Sequence, residues 1–191
     1  PLRIREKYKI SRNQTMVLFV GRNHELKGIE ELCMAARLVW NKHPKTIFFF
    51  VGPKEGKSSD ILEKYRDTRI IEVDKVSLEE KTDFLSACDV FCMPSIHESF
   101  GGVFLEAWMF EKPIIGCDIP PIKALTENGK GGYLVNLAPE EIAEKIIELI
   151  EHKDTAQKMG MWGKQKIQTT YNWDIIADTL NRIYSTLIAN R

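Results

Sequence analysis

The sequence contains no long hydrophobic run. A membrane-spanning helix needs roughly 20 apolar residues in succession, and the longest apolar stretches here are far shorter. No signal-peptide pattern opens the chain. There is no excess of charge of either sign, since Lys and Arg number 27 and Asp and Glu number 27. A nucleic-acid binder usually carries a basic surplus, so the balance argues against that class. Cysteine is scarce: Cys33, Cys88, Cys92 and Cys117 sit in apolar surroundings, form no CxxC pair and have no histidine at zinc spacing. They read as reduced core residues of a cytoplasmic protein, without disulfide framework or metal centre. His24, His43 and His152 form no constellation with Cys or Asp, and no repeat or low-complexity tract is present.

What is present is an ordinary globular composition, 43% hydrophobic and 28% charged over 191 residues. That is enough for one full core and is most simply one domain. The first residue is Pro1 rather than Met, and we expect a piece of a longer protein. Residues 1–15 are locally basic, with Arg3, Arg5, Lys7, Lys9 and Arg12 against Glu6. They read as a linker or helix from a missing amino-terminal domain, solvated in preference to lying on a membrane or partner surface. Residues 16–191 form the expected domain.

Along that domain, short apolar runs alternate with helical patterns. Strands are predicted over 16–20, 46–51, 69–73, 89–92, 113–117 and 132–135. Helices are predicted over about 27–42, 60–66, 77–87, 103–110, 120–129, 138–152, 154–169 and 173–189. Six apolar strands alternating with helices predict a doubly wound, Rossmann-like parallel sheet covered on both faces, with right-handed crossovers. In such a sheet ligands bind beyond the carboxyl ends of the strands. That rim collects Gly21-Arg22, Gly52-Pro53, Val73-Asp74, the stretch from Pro94 to Gly102, and Asp118.

Residues 94–108 are the centre of the pattern. Gly101 and Gly102 stand where strand gives way to helix, allowing close approach of a bound group to the backbone. The helix from Val103 to Phe110 reads as apolar on every side and therefore buried, with the single carboxylate Glu106 in its middle. Such a charge needs either an Arg or Lys partner or a hydrogen-bonding ligand. Arg22 and Lys27 flank the loop after the first strand, and Lys27-Gly28 opens the next helix. A helix N-terminus suits an anion, and Gly101-Gly102 makes a second one. Two helix ends and two cations could hold a diphosphate without a metal, although either cation alone reads as a surface charge.

Glu98 and Glu106 have seven residues between them, which in a continuous helix is a rise of about 12 Å. They read as two anchors on one extended ligand rather than the close carboxyl pair of a glycoside hydrolase. Glu98 could otherwise simply cap the helix behind it. His97 reads as structural or solvated. Residues 52–58 have a likeness to a phosphate loop but lack its spacing.

The set Val20-Gly21-Arg22, Lys27-Gly28, Val51-Gly52, Pro94-Ser95-x-x-Glu98-Ser99-Phe100-Gly101 and Leu105-Glu106-Ala107 resembles the carboxy-terminal domain of the group 1, GT4-type, retaining glycosyltransferases. Glu98 and Glu106 are similar to that family's E-x7-E pair. The resemblance implies one half of a GT-B fold that binds a nucleoside-diphosphate sugar, UDP- or GDP-linked ahead of ADP-linked, with no other cofactor and no metal. It implies diphosphate contacts from Arg22, Lys27 and the backbone N–H groups of Gly101, Gly102 and Val103, with Gly21 beside them a donor-site candidate. Ribose hydroxyls would meet Glu106, sugar hydroxyls Glu98, and the base the segment Val73 to Val76. Gly52 and Phe100 fall within the same motifs and are further donor-site candidates. Glu98, Arg22 and Lys27 would carry catalysis.

The implied activity is retaining transfer of a hexosyl-type sugar to an acceptor held by an amino-terminal domain. On that reading the isolated domain turns over little, and the full-length protein is cytoplasmic, with a peripheral contact at the inner membrane face. Trp173 and the last helix would leave an apolar surface exposed. Asp74, Lys112 and Pro120-Pro121 replace glycines common in the family. A sugar-nucleotide-binding module without catalysis is the alternative of a different class.

Overall fold

The computed structural model describes residues 2–189. Six strands, β1 (Met16–Val20), β2 (Ile47–Val51), β3 (Ile70–Val73), β4 (Val90–Met93), β5 (Ile114–Cys117) and β6 (Gly132–Val135), form one sheet in the order β3-β2-β1-β4-β5-β6. Every pairing is parallel, with Met16 opposite Ile47 and Leu18 opposite Phe91. The four inner strands are buried residue by residue. A sheet covered on both faces requires this, and it explains why their sequences are continuous apolar runs without alternation.

The helices are α1 (Leu2–Lys7), α2 (Ile29–Lys42), α3 (Ser58–Lys64), α4 (Leu78–Ala87), α5 (Gly102–Met109), α6 (Pro120–Leu125), α7 (Pro139–Glu151), α8 (Lys153–Thr170) and α9 (Trp173–Ala189), with a 3-10 turn at Glu25–Lys27. Strands predicted from Thr46, Arg69, Asp89 and Pro113 each begin one residue later. Thr46 donates its N–H to His43, Arg69 donates to the Asp67 carboxylate, and the Asp89 carboxylate accepts from the Met16 N–H at 2.7 Å. Pro113 has no N–H to give.

Three expectations are corrected. The basic amino-terminal segment is not a free linker: α1 lies on α4 with Ile4 in the core, while Arg3 and Lys7 keep their side chains exposed. Arg3 and Lys7 pair with Glu79 and Glu80 of α4 at 2.6 and 2.5 Å, and Arg5 pairs with Asp89 at 2.6 Å. Lys27 does not open α2 but lies in the 3-10 turn, and Gly28 follows in the left-handed region (φ 70°). A Cβ at Gly28 would meet the Pro94 carbonyl oxygen at 2.3 Å, so only glycine lets this turn approach the chain leaving β4.

Thirdly, α5 is not buried all round. Phe104, Ala107 and Trp108 face the core, whereas Glu106 is half-buried and Gly102 and Met109 are exposed. At the far end none of the side chains of α9 is buried, and Trp173, Ile183, Leu187 and Ile188 are exposed, as the apolar-surface expectation had it. No helix among the described residues is long and apolar enough to cross a membrane.

Candidate functional site

The chain runs outward from β1 to β3 on one side of the sheet and returns to place β4 on the other side of β1. The loops after β1 and β4 therefore diverge and leave a crevice at their carboxyl ends, the usual ligand position in an open α/β sheet. A hollow of about 300 Å³ lies there, floored by Val20, Gly21 and Met93. Arg22 and Lys27 border it from the β1 loop, Glu98 from the β4 loop, Gly102, Val103 and Glu106 from α5, and Lys81 from α4.

The β1 loop is set by backbone bonds to the β2 loop. Gly21 donates its N–H to Val51, Asn23 donates to Pro53, and Glu55 donates to Asn23. Asn23 is buried, and its side-chain amide donates to the Gly52 carbonyl at 3.1 Å. Gly52 lies outside the hollow and acts through packing. At φ 139° a Cβ there would fall 1.9 Å from the Gly21 oxygen, so the glycine is what lets the two strand ends meet. Residues 52–58 brace this loop: Lys57 donates its N–H to the Glu25 carboxylate, and Glu55 receives Arg22 at 3.1 Å.

The β4 loop is tied to the 3-10 turn. The Ile96 N–H donates to the Leu26 carbonyl, and the Ser95 hydroxyl bonds to Leu26 and His97. This brings Lys27 onto Glu98 at 2.6 Å, with side chains only 16% and 12% exposed, and onto the His97 carbonyl at 3.1 Å. His97 thus enters the site through its backbone. Arg22, by contrast, is 66% exposed.

Gly101 caps α5 in the left-handed region (φ 81°), with no side chain bonded to the helix N-terminus. A Cβ at Gly101 would strike Ile122 and Phe104 at 2.7 and 2.8 Å, whereas a Cβ at Gly102 would meet nothing within 4 Å. The free space over Gly102 belongs to the hollow. The helix-end dipole and first N–H groups thus face the same region as the cations.

Of the sequence candidates, Gly21, Arg22, Lys27, Glu98, Gly102, Val103 and Glu106 are brought together. Gly52, Val76, Phe100 and Gly101 do not line the hollow. Val76 is half-buried against the core before α4, and Phe100 meets Tyr171 edge-on at 5.7 Å between ring centroids. Sequence reasoning missed Lys81, whose ammonium donates to Glu106 at 2.7 Å. No spacing announces it, because the contact depends on how α4 and α5 pack.

Comparison with known proteins gives this arrangement its family. Residues 2–166 match the family described as glycosyl transferases group 1. The capsular polysaccharide biosynthesis glycosyltransferase CapM of Staphylococcus aureus is 27% identical over 192 residues, 97% of this chain and 50% of that protein. HepE of Anabaena in complex with UDP-glucose superposes with a TM-score of 0.84 at 19% identity, over 96% of this chain and 52% of that one. The C-terminal domain of the group 1 family protein LpcC of Francisella tularensis gives a TM-score of 0.76 at 22% identity, over 88% of this chain and 91% of that one. The two structural likenesses concern the fold, and the chain spans about half the length of the curated relatives it matches. The chain therefore belongs to the group 1 glycosyl transferases and has the fold of one half of a GT-B enzyme.

Proposed function

We propose that the hollow at the ends of β1 and β4 binds the nucleoside-diphosphate sugar of a retaining, metal-independent hexosyl transfer, with UDP or GDP as the preferred nucleotide. One observation carries the reading: Arg22, Lys27, the uncapped N-terminus of α5 and two carboxylates converge on that hollow. Arg22, Lys27 and the N–H groups of Gly102 and Val103 take the diphosphate, Glu106 the ribose hydroxyls and Glu98 the sugar hydroxyls. The base is received by the segment Val73 to Val76. In the reaction the bond from the anomeric carbon to the diphosphate oxygen breaks, a bond to the acceptor hydroxyl oxygen forms on the same face, and the hydroxyl proton passes to the departing diphosphate. Positive groups fixed around the leaving diphosphate stabilise the charge that grows on it.

The acceptor belongs to a second, amino-terminal domain, in line with the half-length span, and the isolated chain binds donor with little turnover. Its setting is the cytoplasm, with the full-length protein reaching the inner membrane face; the four buried free thiols accord with a reducing compartment.

Calorimetric titration with UDP, GDP and ADP, with and without EDTA, tests the proposal. One nucleotide should bind selectively and without EDTA sensitivity, and Arg22→Ala/Lys27→Ala should weaken it by about 100-fold, the worth of two charge-assisted hydrogen bonds. Equal binding by wild type and the double variant would remove the diphosphate site from this hollow. Binding without transfer by the full-length protein would assign the site to a non-catalytic module.

A further inference from the structure

We infer that Lys81 is a positioning residue for donor recognition: it holds the Glu106 carboxylate where the ribose hydroxyls are to be received. The inference rests on the donor-site reading above and extends it to a residue that lies in none of the motifs quoted for the resemblance. Among the described residues the one ion pair of Lys81 is with Glu106, at 2.7 Å, and the two side chains are 26% and 38% exposed. Both line the hollow.

The acidic neighbours of Lys81 on α4 are engaged elsewhere. Glu79 and Asp83 pair with Arg3, and Glu80 pairs with Lys7. Lys81 alone of this group is directed to α5. The start of α4 is fixed by the Ser77 hydroxyl, which accepts the Glu80 N–H, and the Lys81 N–H bonds the Ser77 carbonyl one turn in.

A half-exposed glutamate on an open helix face samples several rotamers, and ordering it on binding costs affinity. Lys81 answers this: its bond to one carboxylate oxygen fixes the side chain before the nucleotide arrives. A carboxylate has about four lone-pair sites, so acceptor capacity remains for two hydroxyls.

The test separates action through Glu106 from a general attraction for phosphate. Wild type, Lys81→Met, Lys81→Gln, Glu106→Gln and Lys81→Met/Glu106→Gln are titrated with UDP, GDP and ADP and with their 2′,3′-dideoxy counterparts. Thermal melts confirm folding. Lys81→Met should cut the preference for the ribonucleotide over its dideoxy form by about tenfold, as loss of one charge-assisted contact implies. Affinity for the dideoxy form should stay within about twofold, and Lys81→Met should change nothing further in the Glu106→Gln background. Lys81→Gln serves equally if the methionine variant does not fold.

Equal losses for both sugar forms, an intact ribose preference, or an undiminished Lys81 effect without Glu106 would each overturn the inference and leave the donor site standing. Failure of wild type to bind any of the three diphosphates would overturn the donor-site reading and this inference together.

Discussion

Each cation facing the hollow is met by a carboxylate: Arg22 by Glu55, Lys27 by Glu98 and Lys81 by Glu106. The pairs differ in how much water they see. An exposed pair such as Arg22–Glu55 is worth about 0–1 kcal/mol, so a phosphate can draw the guanidinium away at small cost. Lys27 and Glu98 are largely shielded, and removing either strands the other's charge. Gly102 offers a cleaner test of ligand approach, because a Cβ there meets open space and its φ is not left-handed. Alanine also suits a helix better than glycine by about 1 kcal/mol. Gly102→Ala should therefore leave the melting temperature unchanged or slightly raised, yet weaken nucleotide binding about tenfold if the diphosphate rests on the α5 N-terminus. Unaltered affinity would move the diphosphate elsewhere.

Helix α5, which presents that N-terminus, is seated from behind by α8. The Trp108 indole N–H donates to the Gly131 carbonyl at 3.0 Å, and its ring meets Trp162 edge-on at 5.7 Å between centroids. Two glycines of α8 make room. A Cβ at Gly163 would come 2.1 Å from the Trp108 ring, and one at Gly160 would come 1.9 Å from the Glu111 carbonyl oxygen. Gly163→Ala should cost about 1–3 kcal/mol, the range for overpacking a core. Gly160→Ala should cost more, since backbone rather than a side chain stands in the way. Urea denaturation of both variants measures this, and wild-type stability in either would show that the helices separate freely. Both glycines lie inside the helix predicted over about 154–169. Their use appears when α5 is laid across them.

Across the whole molecule, ion pairs join elements distant in sequence and give stability a pH dependence. Glu148 on α7 accepts from the Tyr133 hydroxyl of β6 and from Lys145, and these contacts hold its carboxyl below the usual range. Lys64 and Tyr65 lower Glu30, joining α2 to α3, and Lys166 of α8 lowers Glu127. Arg69 beside Asp67 lowers that carboxyl too.

A carboxyl lowered by folding binds fewer protons in the native state than in the unfolded one. Its contribution is present above the unfolded pKa, about 4.3 for Glu and 3.9 for Asp, and is lost as pH falls through the folded value. Urea-derived stability should therefore hold from pH 7 to about 5 and decline below about 4.5, and Glu148→Gln should flatten that decline. A curve that stays level to pH 3 would show that these partly exposed pairs contribute nothing.

Much of the frame of the candidate site was legible in one dimension. Apolar runs marked the strands, because a strand buried on both faces must be apolar at every position. Glycines, and Ser77 as the N-cap of α4, marked where elements begin and end. The motifs around Arg22, Lys27 and Glu98 follow strand ends, so alternation of strand and helix already placed them on one rim. Other features had no local signal: the docking of α1, the open side of α5, and the partner of each charge. Lys27 and Glu98 are 71 residues apart, and Lys81 and Glu106 are 25 apart. Periodicity and capping act over a few residues and record which positions are buried. Which element lies beside which is decided only when the sheet order sets β4 against β1, and that packing makes the hollow and chooses Lys81 as the neighbour of Glu106.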